Sequence, residues 1–209
     1  MKLTKFVHSC LLVENDGETT LFDPGVYSYE FPELNIKTWP ALNYVVITHE
    51  HPDHFHLPFL EDLIKHSPNL IILTTKSVAS QLEGKVNVEV KTGPFAKFEL
   101  FTSPHEATPM GTPPENIGVH YAGVLSHPGD SHSFGESKRI LAMPMTAPWG
   151  SMYGAVRKIT ELKPEVVIPI HDWHWRPEAL AGIYQGIKEL LQKEGINFII
   201  PENGQSVEV

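Results

Sequence analysis

The stretch 43–49, NYVVITH, is an unbroken run of apolar and β-branched residues. Such a run suits a strand covered on both faces, because a solvated face would place polar residues at alternate positions. It leads directly into THEHPDHFH (48–56), where four histidines and two carboxylates fill nine positions. Ligand sites on α/β sheets gather at the carboxyl ends of strands. The chain is therefore constrained to a fold in which a buried strand opens onto this cluster. In extended backbone, residues two apart point the same way, which lets His49 and His51 share one metal ion. Pro52 stops the strand and turns the chain, and Asp53 and His54, past the turn, are placed for a second ion. Imidazole nitrogen and carboxylate oxygen bind zinc at roughly 2.0–2.2 Å, and manganese or iron accept the same donors. The competing reading is a solvated loop with several free histidines; its position at the end of a buried strand argues against it. His56 is left over, at the start of the following helix or beside the ligands.

Ahead of this cluster, LTKFVHS, CLLVEN and TTLFDPG read as short strands around the turn ENDGE, and DPGVYSYEFPEL reads as a loop. Behind it, Leu57, Leu60, Leu63 and Ile64 recur at helical spacing. LIILTT is a further buried strand, and KSVASQLEG is a short helix that Gly84 ends. VNVEV and KFELFTS read as strands. SPHEATPMGTPPENIG is a long Pro-rich loop of the kind that often carries function. GVHYAGVLS and KRILAM are strands on either side of HPGDSHSFGES. Met152, Val156, Ile159 and Leu162 line one side of a helix. EVVIPIH (165–171) is a buried strand that ends in a histidine. PEALAGIYQGIKELLQKEG is a helix opened by Pro177 and closed by Gly195, and NFII and QSVEV are the last strands. The order, strand-rich and then strands alternating with helices, places the chain in the α/β class. Two sheets between helices fit it, and so does one open doubly wound sheet. No repeat, low-complexity tract or linker divides the chain, so a single domain over 1–209 is expected.

Three later residues share the layout of the first cluster. His105 follows the strand KFELFTS, Asp130 follows YAGVLS, and His171 ends EVVIPI. Asp130 has two oxygens and is able to bridge two ions. His120 and His127 compete with His105, and His174 in HDWHW competes with His171. Asp23, in LFDPG, either fixes a ligating imidazole or caps a turn. Trp149, Tyr153, Trp173, His174, Trp175 and Arg176 fall near strand ends. They are candidates for a substrate pocket, with Arg176 suited to a carboxylate or phosphate; packing or an oligomer contact is the plainer reading. His8 and His132 either line the cleft or lie free at the surface. Cys10 reads as buried and inert. Two ions ~3.5–4 Å apart activate water near neutral pH, with Asp53 or Asp130 orienting the nucleophile. No Gly-x-Ser-x-Gly elbow points to a rival mechanism.

A chain of 209 residues is long enough to bury roughly 70% of its unfolded surface. Its net charge of −9 disfavours tracking a nucleic-acid backbone. Cys10 is the single cysteine, so no internal disulfide forms, which suits a reducing cytosol. No apolar run approaches the ~18 residues of a membrane span, and MKLTKFVHSCLLVEN lacks the features of a signal peptide. The expectation is a cytoplasmic protein with a small-molecule substrate, no nucleic-acid partner and no membrane segment.

HEHPDH resembles the HxHxDH motif of the metallo-β-lactamase superfamily. VHSCLLVENDGETTLFDPG, HEHPDH, SPHEA, HPGDS and IPIHDW follow in that superfamily's order over nearly the whole chain, and look most like its ascorbate-phosphate lactonase branch. The resemblance implies a four-layer αβ/βα sandwich and a dinuclear, metal-dependent hydrolase. It implies His49, His51 and His105 around one metal, Asp53, His54 and His171 around the second, and Asp130 between them. Diiron relatives carry glutamate where His51 stands, which favours a zinc hydrolase of a small ester, lactone or phosphodiester; lactonase relatives imply a homo-oligomer. Alternatives are a nuclease or RNA-processing member, usually with an added nucleic-acid domain, and a non-catalytic metal-binding protein on the same fold.

Overall fold

A computed structural model gives the structure of residues 1–109 and 111–209. The chain forms two compact units. The first comprises Met1–Phe95, Pro114–Ile117 and Pro201–Val209, and the second Ala96–Pro113 and Gly118–Ile200. Each unit has its own sheet, so the single open doubly wound sheet is excluded.

The sheet of the first unit is built from β1 (Lys2–Lys5), β2 (Leu11–Asn15), β3 (Glu18–Phe22), β4 (Tyr44–Ile47), β5 (Ile71–Thr74), β6 (Glu89–Lys91) and the C-terminal β13 (Ser206–Glu208). Their order is β13-β1-β2-β3-β4-β5-β6. The edge from β13 to β3 is antiparallel, with Leu3 opposite Val13 and Val207 and Leu12 opposite Leu21. From β3 to β6 the strands run parallel, with Val45 opposite Leu21 and Ile72. The short helices α1 (Val26–Tyr29) and α3 (Lys76–Leu82) and the longer α2 (Leu57–His66) complete the unit.

In α2, Leu60 and Leu63 are fully buried, together with Phe59, and they join Val45, Ile47 and Ile72 in one apolar cluster. Leu57 and Ile64 pack at its margin. Burying a side chain of this size stabilises by about 1.5–3 kcal/mol. His56 is the residue immediately before α2, and its ring lies 5.1 Å from that of Tyr29. Beyond α3 the chain turns through Gly84, at φ +71°.

The sheet of the second unit holds β7 (Phe98–Phe101), β8 (Gly118–Tyr121), β9 (Leu125–His127), β10 (Ile140–Pro144), β11 (Val166–Ile170) and β12 (Asn197–Phe198), in the order β12-β11-β10-β9-β8-β7. Here β12 to β9 are parallel and β9 to β7 antiparallel. The sequence reads GVHYAGVLS as one strand, but the structure breaks it into β8 and β9. Ala122 and Gly123 both take left-handed φ, 53° and 66°, the conformation of a tight hairpin turn. Apolar residues flank that turn on both sides, so hydrophobicity alone conceals it.

Helices α4 (Met152–Leu162) and α5 (Pro177–Lys193) cover this second sheet. Ala155 and Ile159 of α4 and Tyr184, Ile187 and Leu191 of α5 pack with Leu141, Met143 and Val167, while Met152, Val156 and Leu162 lie at the margin. Pro177 opens α5, and Gly195, at φ +78°, follows its end.

Candidate metal centre

In both units, the residues of interest lie in loops that follow strand ends. In the first unit, Asp23 follows β3 and His49 follows β4. The loop 48–56 is stitched to the loop after β3: Val26 N–H donates to Pro52 O at 2.8 Å, and His56 N–H to Pro24 O at 3.0 Å. Gly25 is required here, because a Cβ at this position would lie 1.7 Å from the Asp53 carbonyl oxygen.

Asp23 is fully buried and holds a left-handed φ of 47°. Its Oδ1 accepts the Thr48 N–H at 2.8 Å, and its Oδ2 accepts the Thr48 hydroxyl at 3.0 Å. The same Oδ2 lies 2.7 Å from His54 Nδ1. A carboxylate only accepts, so Nδ1 of His54 carries the hydrogen. The Thr48 hydroxyl, spent on Asp23, in turn accepts from His49 Nδ1 at 3.0 Å. One carboxylate thus fixes the tautomer of two imidazoles and leaves both Nε2 atoms without a hydrogen and able to donate a lone pair, an arrangement common to metal-binding histidines.

His49 Nε2 lies 3.1 Å from His51 Nδ1. Asp53 Oδ2 lies 3.0 Å from His8 Nε2 and 3.9 Å from His54 Nε2. Glu50, between the two histidines, accepts from Ser77 Oγ and, at 2.8 Å, from Gln81 Nε2, which ties the cluster to α3. The Tyr27 ring stands edge-on to His8 at 5.7 Å. Burial first, and then the Asp53 charge, push the Tyr27 phenol above its ordinary pKa.

The second unit repeats this logic. Glu106 N–H donates to Asp130 O at 2.9 Å, joining the loops after β7 and β9. His105 Nδ1 donates to the Glu106 carbonyl and His171 Nδ1 to the Thr146 carbonyl, both at 2.7 Å. Their Nε2 atoms point at one oxygen: Asp130 Oδ2 is 3.6 Å from His105 Nε2 and 3.1 Å from His171 Nε2. His171 holds φ 58°, a strained conformation of the kind that clusters at functional sites.

The donor chemistry fits divalent metal. Two ligands each ~2.1 Å from a shared ion stand roughly 3–3.6 Å apart, and the donor pairs within each unit fall near that range. A neutral imidazole with its hydrogen on Nδ1 turns a lone pair towards the carboxylate oxygen. Two lone pairs at 3.1 Å repel until a cation or proton lies between them.

Of the residues read as substrate contacts, the structure brings Trp149 to the donors of its unit. Its indole N–H donates to Asp130 Oδ2 at 3.2 Å, and its ring lies 5.3 Å from both His171 and His132. His174 Nε2 meets the Thr146 hydroxyl at 2.6 Å, and Trp175 donates to the same hydroxyl at 3.2 Å. Burial, and next the neighbouring His171, hold His174 below the ordinary histidine pKa. Tyr153 and Trp173 are exposed, and so is Arg176, which immediately precedes α5.

His120 and His127, the rivals of His105, are both buried. His120 stacks on Phe101 at 4.2 Å and bonds Ser126 Oγ at 2.9 Å, while His127 Nδ1 accepts the Gly129 N–H at 3.2 Å. His132 is anchored by Nε2 on Pro144 O at 2.8 Å, with its pKa lowered chiefly by burial. His8, read as lining a cleft or lying free at the surface, is 1% exposed. Two participants, Thr48 and Thr146, escape the sequence reading. Thr48 and Thr146 act through a hydroxyl and a carbonyl; their one visible signal is that each follows the end of a buried strand.

The chain matches the family described as Beta-lactamase superfamily domain over residues 2–171. It is similar to Protein Rv0786c of Mycobacterium tuberculosis, 33% identical over 201 residues, which cover 89% of this chain and 90% of that one. It is similar to a UPF0173 metal-dependent hydrolase of Salinibacter ruber, 28% identical over 193 residues, covering 82% of this chain and 84% of that one. Among solved structures it resembles Igni18, a metallo hydrolase from the archaeon Ignicoccus hospitalis. The TM-score is 0.73 at 21% identity, covering 99% of this chain and 97% of that one. The chain belongs to the beta-lactamase superfamily and has the metallo-β-lactamase fold.

Proposed function

We propose that this protein is a dinuclear metal-dependent hydrolase of a small ester, lactone or phosphodiester, working as one catalytic domain with zinc as the native metal. The observation that carries the reading is the anchoring of His49, His54, His105 and His171. Each has Nδ1 bonded to an acceptor, so each offers Nε2 to a metal. The proposed ligands are His49, His51 and His105 for one ion and Asp53, His54 and His171 for the other, with Asp130 as the bridge. All of them lie within the matched region.

Bound divalent ions would supply a water that ionises near pH 7 and an electrophile for a carbonyl or phosphoryl oxygen. The protein's part is orientation. Asp23 holds His49, through Thr48, and His54 in one tautomer, and the Glu106 and Thr146 carbonyls do the same for His105 and His171. Trp149 neutralises part of the charge on Asp130 and walls the donors of its unit with an apolar ring. Asp53, whose side chain is 24% exposed, is the carboxylate placed to accept a proton from an incoming nucleophile and return it to a leaving oxygen. The lactonase-like assignment agrees with a net charge of −9, which opposes a nucleic-acid substrate.

The test is metal analysis of purified protein together with a panel of aryl esters, lactones and bis-phosphodiesters. Two equivalents of metal and turnover of one class, lost on chelation and restored by zinc, support the reading. Normal metal content in His49→Ala, with no class hydrolysed by the wild type, would end it.

A further inference from the structure

We propose that His8 is itself a metal ligand, forming with Asp53 and His54 a three-donor set drawn entirely from the first unit. The inference rests on the dinuclear reading and adds a donor to the ligands proposed above for the second ion.

His8 sits in the turn between β1 and β2, closed by Phe6 N–H on Cys10 O at 2.8 Å. Its φ is 69°, a left-handed conformation that a non-glycine residue adopts at a cost. The preceding carbonyl, of Val7, is pinned by the Ser28 hydroxyl at 2.7 Å. The result is to bury a polar ring whose side chain is 0% exposed. Nε2 of His8 is 3.0 Å from Asp53 Oδ2. The ring stands nearly perpendicular to His54, at 5.2 Å and 76°, with Tyr27 edge-on to it at 77°. His8, Asp53 and His54 each bring one ligand-capable atom within 4.8 Å of the others.

A plain hydrogen bond from His8 to Asp53 explains only part of this. Asp53 Oδ2 faces two Nε2 atoms, and that of His54 is a lone pair because Nδ1 gives its hydrogen to Asp23. A proton on His8 answers one of these two contacts, whereas a cation answers both. Two imidazoles and one carboxylate are an established donor combination for divalent transition metals.

The experiment titrates metal-free wild-type protein, His8→Gln and His8→Asn with Co(II). It follows visible absorption and chelator competition, with thermal unfolding of each metal-free form as the check on folding. Glutamine keeps an N–H donor for Asp53 but is a poor ligand, and asparagine tolerates the left-handed backbone but is too short to reach. The expected result is two cobalt equivalents in the wild type. In both variants one equivalent is held as before and the other about tenfold or more weakly, with altered absorption from that ion. Should His8→Asn fail to fold, His8→Gln decides alone. Unchanged affinity and spectrum in His8→Gln would show a hydrogen-bond donor only and overturn the assignment while leaving the dinuclear reading intact. A wild type that takes up no cobalt would overturn both.

Discussion

Asp23 Oδ2 lies 2.7 Å from His54 Nδ1 while also accepting the Thr48 hydroxyl, so one buried oxygen orders two imidazoles, His54 directly and His49 through Thr48. Asp23→Asn preserves the shape but not the acceptors. The amide has one oxygen for three donors, and its NH2 must face at least one of them. Leaving buried polar groups without partners costs about 1–3 kcal/mol each. Metal-free Asp23→Asn is expected to unfold at lower denaturant, and its metal affinity to fall about 10–100-fold. Chelator competition checks the second effect; wild-type affinity would remove Asp23 from the site.

Gly25 makes the loop 48–56 possible by letting backbone approach backbone. In Gly25→Ala the new methyl would overlap the Asp53 carbonyl carbon and oxygen, at 2.1 and 1.7 Å. No flexible side chain is there to give way, so the cost lies at or beyond the upper end of overpacking, about 3 kcal/mol. The expected outcome is a protein that expresses poorly or melts early, and whose folded fraction binds metal weakly because Asp53 is displaced. A wild-type melting curve would contradict the close approach.

The strand ends were legible because buried parallel strands are written as continuous apolar runs: NYVVITH stops at His49 and EVVIPIH at His171. Helix faces were legible for the same reason, as Leu60, Leu63 and Ile159 show. The hairpin at Ala122–Gly123 was not, since the residues around it are apolar in either conformation. For His8 the sequence left cleft and surface open, because its turn takes φ 69°, a backbone state that the flanking residues do not announce. Tyr153 and Arg176 show a different limit: proximity in sequence to a strand end does not fix burial, and both side chains are exposed.

Thr146 divides two tasks between two atoms. Its carbonyl fixes His171 Nδ1, while its hydroxyl holds His174 and Trp175. Because His174 is kept below its ordinary pKa, its Nε2 is free to accept the hydroxyl hydrogen as Trp175 donates to the oxygen. Thr146→Val removes the hydroxyl alone. It is expected to lower stability by about 1 kcal/mol and to speed amide exchange across residues 172–176, with metal affinity unchanged. A parallel loss of metal affinity would show that the two tasks are not separate.

His120 supplies a pH dependence remote from the proposed ligands. It is 3% exposed, and burial first, then the Lys138 charge, lower its pKa from 6.5, while Glu136 and Glu99 act in the opposite direction. Ser126 Oγ, which accepts the Lys138 N–H at 2.7 Å, faces its Nδ1. With the folded pKa depressed, the unfolded chain takes up a proton more readily as pH falls through 6.5. The contribution of neutral His120 is therefore complete above that pH and lost below it, until the folded form also protonates. The slope is at most about 1.4 kcal/mol per pH unit. His132 and His174 are depressed as well, so the informative quantity is the difference between wild type and His120→Gln. Urea unfolding of the metal-free proteins should give curves that run parallel above about pH 7 and converge as pH falls below about 6.5. Curves that stay parallel to about pH 5 would mean that His120 titrates normally in the folded protein.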